Sequence, residues 1–129
     1  NVENSLNSIQ SSNLTIFKHQ NLTIFKKTLN VDFLVCYDNT PFLVVEVTTL
    51  NVRKRKDINN RFAYLDHRFQ QIKLKYPKIK TMIVIKIDVK QRELIRRVAE
   101  RELINTNYCF ITNRINDLSQ VFSKIVTTD

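Results

Sequence analysis

The chain has no glycine, one methionine, two cysteines and two histidines in 129 residues. Average usage would supply about nine glycines. Their absence excludes a phosphate-cradling P-loop, a GxGxxG dinucleotide turn and a GxSxG nucleophile elbow, each of which needs glycine for positive φ or close backbone approach. Nucleotide-cofactor enzymes and ordinary serine hydrolases drop out on that ground. Two histidines and no CxxC spacing leave a structural zinc site without a ligand set. Cys36 and Cys109 stand singly inside apolar stretches, which predicts buried free thiols rather than a bridge and a reducing, intracellular setting. Apolar runs are short, Phe42–Val45 among the longest, far from the roughly 18 residues a membrane span requires. The first twelve residues are polar and show no secretory leader. The length predicts one domain over 1–129, and the opening at Asn1 reads as a domain of a longer protein.

Hydrophobic residues make up 43% and charged residues 26%, a globular composition, and the net charge is +9. That charge is not spread evenly. Residues 1–51 carry three basic and four acidic side chains; residues 52–80 carry ten basic ones against Asp57 and Asp66; residues 81–129 carry eight against six. A localised basic stretch points to a polyanionic partner. The same stretch reads as an amphipathic helix over about 53–76, with Ile58, Phe62, Leu65, Phe69, Ile72 and Tyr76 on its buried face and Pro77 ending it. Lys54, Arg61, Arg68 and Lys75 recur every seven residues and so line one edge over about 30 Å. With Arg53 and Arg55 they are the candidate nucleic-acid contacts. Tyr64 and Tyr76 are expected to pack, and His67 to face solvent or phosphate.

Elsewhere the pattern predicts a short helix in residues 1–12 and a strand at 31–37. Asp38-Asn39-Thr40-Pro41 then serves as a four-residue turn before a strand at 42–49. Further along come a strand at 81–87, a helix at 89–104, a strand at 108–112 and a last helix through Ile115, Leu118, Phe122 and Ile125. Asn13–Lys18 is repeated word for word as Asn21–Lys26, with His19-Gln20 between the copies. Both copies alternate as strands do, but His-Gln is a poor hairpin turn, so a strand pair competes with one copy being loop. The order is α-β-β-β-α-β-α-β-α, a mixed α/β sheet flanked by helices.

Two carboxylates stand where folding alone would not put them. Asp32 opens the run Val31–Val35 and Glu46 interrupts Val44–Thr48. A charge inside an apolar strand is costly unless it is paired or bound to a cation. The intervening turn sets the two roughly opposite each other, where they repel unless a divalent cation joins them or one takes up a proton.

Asp32, thirteen intervening residues and then Glu46-Val47-Thr48 on an apolar strand, followed by helix and strand, resembles the PD-(D/E)XK nuclease superfamily, in its ExT form. The resemblance implies a restriction-endonuclease-like α-β-β-β-α-β core with a helix-strand-helix extension. The implied activity is a metal-dependent endonuclease that hydrolyses phosphodiester bonds, of DNA ahead of RNA. By that likeness Asp32 and Glu46 bind Mg²⁺ or Mn²⁺, the Val47 carbonyl adds a ligand, and Glu3 is the candidate acid from the first helix. Thr48 stands where the superfamily usually has a catalytic lysine, so Lys54 or Lys56 is expected to supply the missing charge, with Lys26 behind them. The alternative is a catalytically inactive nucleic-acid-binding or assembly module of the same fold. No recognition element is visible, so specificity would come from other domains or subunits, and cutting both strands of a duplex would call for a homodimer.

Overall fold

The computed structural model describes Glu3 and residues 14–50, 55–87 and 92–112. The expected first helix, apart from Glu3, and the expected last helix lie outside these residues, as do Arg53 and Lys54. Three strands come first, β1 (Leu14–Ile24), β2 (Lys27–Tyr37) and β3 (Thr40–Thr49). They are followed by helix α1 (Arg55–Lys75), strand β4 (Lys80–Lys86), helix α2 (Arg92–Glu102) and strand β5 (Tyr108–Thr112). The sheet runs in the order β1-β2-β3-β4-β5. The β1/β2 and β2/β3 pairs are antiparallel, whereas β3/β4 and β4/β5 are parallel. This is the expected mixed α/β architecture, with five strands and two helices among the described residues. No described helix is long and apolar enough to cross a membrane.

Both helices lie on one face. Ile58, Phe62, Leu65, Phe69 and Ile72 of α1 and Ile95, Val98 and Ala99 of α2 share one buried cluster with Leu34, Val44, Ile83 and Ile85 from the sheet. The α1 positions are those the spacing predicted. Phe33, Val35, Leu43, Val45, Met82 and Val84 point to the other face and form a second cluster. Met82–Ile85 is therefore apolar without alternation because both of its faces are buried.

The duplicated hexapeptide, its copies eight residues apart, forms neither a hairpin nor a strand with one copy as loop. Leu14–Lys18 of the first copy and Asn21–Ile24 of the second lie in the one strand β1, in unbroken register with β2 from Leu14 opposite Tyr37 to Ile24 opposite Lys27. Eight residues is an even spacing, so equivalent side chains should share a face. They do not: Leu14 and Ile16 pack with the second cluster, Leu22 and Ile24 with the helix-side cluster. The strand changes face at His19, which has φ 51°. The turn that follows is Phe25-Lys26, with φ 47° and 74°.

The β2–β3 connection also differs from expectation. It is a two-residue turn, Asp38-Asn39, with φ 49° and 65°, the positive values that a primed hairpin turn demands. Tyr37 pairs with Thr40 and Cys36 with Pro41, then the register shifts so that Val35 pairs with Leu43, leaving Phe42 as the extra residue of a bulge. Cross-strand partners share a face. The bulge thereby moves Glu46, rather than Val45, into the position opposite Asp32. Cys36 and Cys109 are both free; Cys36 is buried, as expected of both, whereas Cys109, on strand β5 at the edge of the described sheet, is exposed.

Candidate functional site

The β2/β3 ladder runs from the turn to Phe33 opposite Val45 and stops there. One step further along the same register stand Asp32 and Glu46. Beyond that step β2 stays with β1, through Val31 opposite Gln20 and Asn30 opposite Asn21. β3 stays with β4, through Glu46 opposite Ile83 and Thr48 opposite Ile85. A cleft therefore opens between β2 and β3, with one carboxylate on each lip. The Val47 N–H, which a continuing ladder would give to β2 backbone, instead donates to Asp32 Oδ2 at 2.7 Å. A residue's N–H and C=O leave a strand on the same edge, so the Val47 carbonyl also faces the cleft.

Helix α1 closes the cleft from above with two arginines and a tyrosine. Arg68 Nη2 lies 3.2 Å from Glu46 Oε1, with side-chain exposures of only 15% and 9%. The same nitrogen donates across the cleft to the Asn30 carbonyl on β2, and Arg68 Nη1 donates to the Tyr64 hydroxyl at 3.1 Å. Arg61 Nε donates to Thr48 Oγ1 at 3.4 Å. The Tyr64 ring receives both guanidinium groups, Arg61 at 5.8 Å and Arg68 at 5.6 Å from its centroid. Tyr64 is thus no packing residue; it is 52% exposed and props the two cations.

Charge in this cluster is only partly balanced. Burial pushes the Glu46 carboxyl up to about 7, and the neighbouring Asp32 carboxylate pushes the same way; Arg68 pulls against both and does not win. Burial works against the charge of Arg68 as well, yet the Tyr64 hydroxyl and Glu46 hold its pKa above the ordinary value. Arg68 Nε is buried with no hydrogen-bond partner among the described residues. An unpaired buried donor beside a guanidinium calls for an acceptor.

The structure thus brings together Asp32, Glu46, Val47 and Thr48 from the candidates, and joins to them Arg61 and Arg68. It does not bring Glu3 in: that carboxylate pairs with Lys18 at 2.9 Å on the surface, and no group of three metal-ligating side chains occurs among the described residues. Lys26 stands in the β1–β2 turn. The basic edge of α1 is not a free solvated row either. Arg61 reaches β3, Arg68 reaches β3 and β2, and Lys75 donates to the Thr23 carbonyl on β1, so these three cations step across the sheet. Of the other cations, Lys54 and Arg53 lie outside the described residues, and for Arg55 and Lys56 only the helical backbone is described. The sequence had signalled Arg61 and Arg68 by their seven-residue spacing, but as backbone-phosphate contacts. Tyr64 and Asn30 carried no signal at all.

Other polar anchors are structural. Asp66, buried on α1, accepts from the Asn105 backbone N–H at 2.7 Å and its side-chain amide at 3.0 Å, tying the α2–β5 loop to α1. His67 is exposed. Compared with known proteins, the chain matches no protein family, no curated sequence and no solved structure.

Proposed function

We propose that this chain is a metal-dependent nuclease domain of the PD-(D/E)XK type that hydrolyses phosphodiester bonds in nucleic acid, DNA ahead of RNA. The observation that carries the reading is the cleft itself, where the β2/β3 ladder ends at two facing carboxylates, Asp32 and Glu46. The order of the first three strands, the helix crossover and the parallel β4 supports a restriction-endonuclease-like core.

The residues present fit a divalent cation. Arg68 takes one oxygen of Glu46 and the Val47 amide takes one of Asp32, which leaves a second oxygen on each carboxyl. A magnesium-sized ion needs only one or two carboxylates, because it keeps waters and takes substrate phosphate oxygens. Bringing in two positive charges also relieves the repulsion that pushes Glu46 up. Asp32, Glu46 and the Val47 carbonyl would hold Mg²⁺ or Mn²⁺. When bound, the ion supplies an acidified water and neutralises charge on the phosphate.

The chain's own residues do the rest. Asp32 is oriented by the Val47 amide, so its free oxygen is aimed before substrate arrives. Arg68, anchored by Asn30 and Tyr64, holds one oxygen of Glu46 and keeps a positive charge beside the acid pair. Arg61 holds the Thr48 hydroxyl. Thr48 brings no charge where the superfamily usually has lysine; among the described cations Arg68 is the one paired with a carboxylate of the site, and Arg61 is held at the Thr48 hydroxyl. The arginine clamp on Glu46 also favours a second reading, a non-cutting binding module in which Arg68 replaces the metal.

Cleavage of plasmid DNA and of single-stranded RNA, with Mn²⁺, Mg²⁺ or EDTA, tests the choice. Metal-dependent cutting that falls at least a hundredfold in Glu46→Gln and Asp32→Asn supports the nuclease. Salt-sensitive binding without turnover in any metal supports the module.

A further inference from the structure

The far end of the sheet carries a second charged concavity that has no part in the carboxylate site. A cavity of about 760 Å³ opens between the β2–β3 turn, the end of α1 and the start of β4. Lys73, Lys78 and Lys80 line it, and among the described residues Asp38 is the one acidic side chain on its wall. Tyr37, Pro41, Phe42 and Pro77 supply its apolar side. Glu46 stands four residues beyond Phe42 along β3, about 13 Å away at strand rise, so an occupant of the cavity would not touch the acids.

The lysines here are crowded. Lys73 is pushed below its usual pKa by burial first and by the Lys80 charge second, with Asp66 pulling weakly the other way. Lys73 donates to Asn107 Oδ1 at 2.7 Å, which holds its ammonium at this wall of the cavity. Like charges gathered around a concavity favour the entry of an anion. Beside them Tyr37 is 49% exposed, at the end of a strand whose preceding residue, Cys36, is buried. Clustered cations next to an exposed aromatic ring are the two components of single-strand recognition: phosphates on lysine, a base on the ring.

We infer that this cavity binds one nucleotide of a single-stranded nucleic acid, its phosphates on Lys73, Lys78 and Lys80 and its base against Tyr37. The site requires no cleavage and no metal, so it stands or falls apart from the nuclease reading.

The test is fluorescence anisotropy with labelled (dT)12 in EDTA at low salt, using the full chain. Lys78→Glu and Tyr37→Ala are each expected to weaken binding about tenfold, in the range that stacking on one aromatic ring supports. Arg97→Glu, the same charge change on an α2 side chain that is 73% exposed and outside the cavity, is expected to alter binding less than twofold. Equal weakening by Arg97→Glu, or wild-type binding by Tyr37→Ala, would overturn the site. Thymidine monophosphate displacing the probe as well, mole for mole, as unlabelled (dT)12 would overturn the strand assignment.

Discussion

Helix α1 sends cations to both ends of the sheet, and the two ends treat them differently. At the carboxylate end each arginine has been given partners: Arg68 has Glu46, Asn30 and Tyr64, and Arg61 has Thr48 and the same tyrosine ring. At the turn end Lys73 faces another lysine, with only an asparagine oxygen to hold it. A guanidinium is planar and presents several donors in fixed directions, so it can bridge two strands and a hydroxyl at once. A lysine ammonium is a compact point charge that is easily rehydrated, and it suits a wet cavity awaiting an anion. The first end is organised in advance around an acid pair, while the second is left electrostatically open.

The largest effect is expected where the bridge is strongest. Arg68→Ala removes the partner of a nearly buried carboxylate and opens the link to Asn30. Breaking such a pair from one side costs on the order of 3 kcal/mol, so the melting temperature at pH 8 in EDTA should fall by about 10 °C. The loss should shrink near pH 4.5, because Glu46 is then protonated and no longer needs a cation. Equal losses at both pH values would show that Arg68 acts through packing alone.

Glu46→Gln probes the same network with the opposite sign. The folded protein raises the Glu46 carboxyl from 4.5 to about 7, so its ionised form is penalised in the native state. The penalty is absent below pH 4.5, grows between 4.5 and 7, and is constant above. Its size is on the order of 3 kcal/mol. Gln keeps an acceptor for Arg68 without the charge. The variant should therefore melt several degrees above wild type at pH 8 in EDTA and match it near pH 4. Added Mn²⁺ should narrow the gap by stabilising wild type, since a ligand of the folded state alone raises stability by mass action. A variant that melts below wild type at pH 8 would mean that the arginine outweighs burial and Asp32.

The smallest effect belongs to the open end. Lys80→Gln removes the like charge nearest Lys73 and should raise the melting temperature by about a degree in low salt. The gain should vanish at 1 M salt, where charges are screened within about 3 Å. A gain that survives high salt would make the change one of packing rather than repulsion.

Much of this was legible in the chain. The buried face of α1 was visible from Ile58 to Ile72 because a 3.6-residue period leaves no other use for those side chains. Asp32 and Glu46 stood out because a charge in an apolar strand demands an explanation. The duplication misled in the opposite way: an even repeat predicts equivalent faces, and one positive φ at His19 reverses them. Nothing local marks that residue. Tyr64 read as packing because an aromatic on an amphipathic helix usually is, and only the two arginines one turn to either side reveal its use.

Legible from side chains alone were the order of the elements from β2 to β5, their apolar faces, the local excess of positive charge and the two acids out of place. These follow from side-chain chemistry and from spacings of two or 3.6 residues, which act over a few neighbours. Tertiary structure decided the register that makes the acids a pair. A two-residue turn alone would have set Asp32 opposite Val45, and the bulge at Phe42 supplied the single residue of correction. It also decided that Arg68 meets Glu46 and Arg61 meets Thr48, because the direction of a helical edge depends on how the helix lies across the sheet, and that angle is set by packing between residues far apart in the chain.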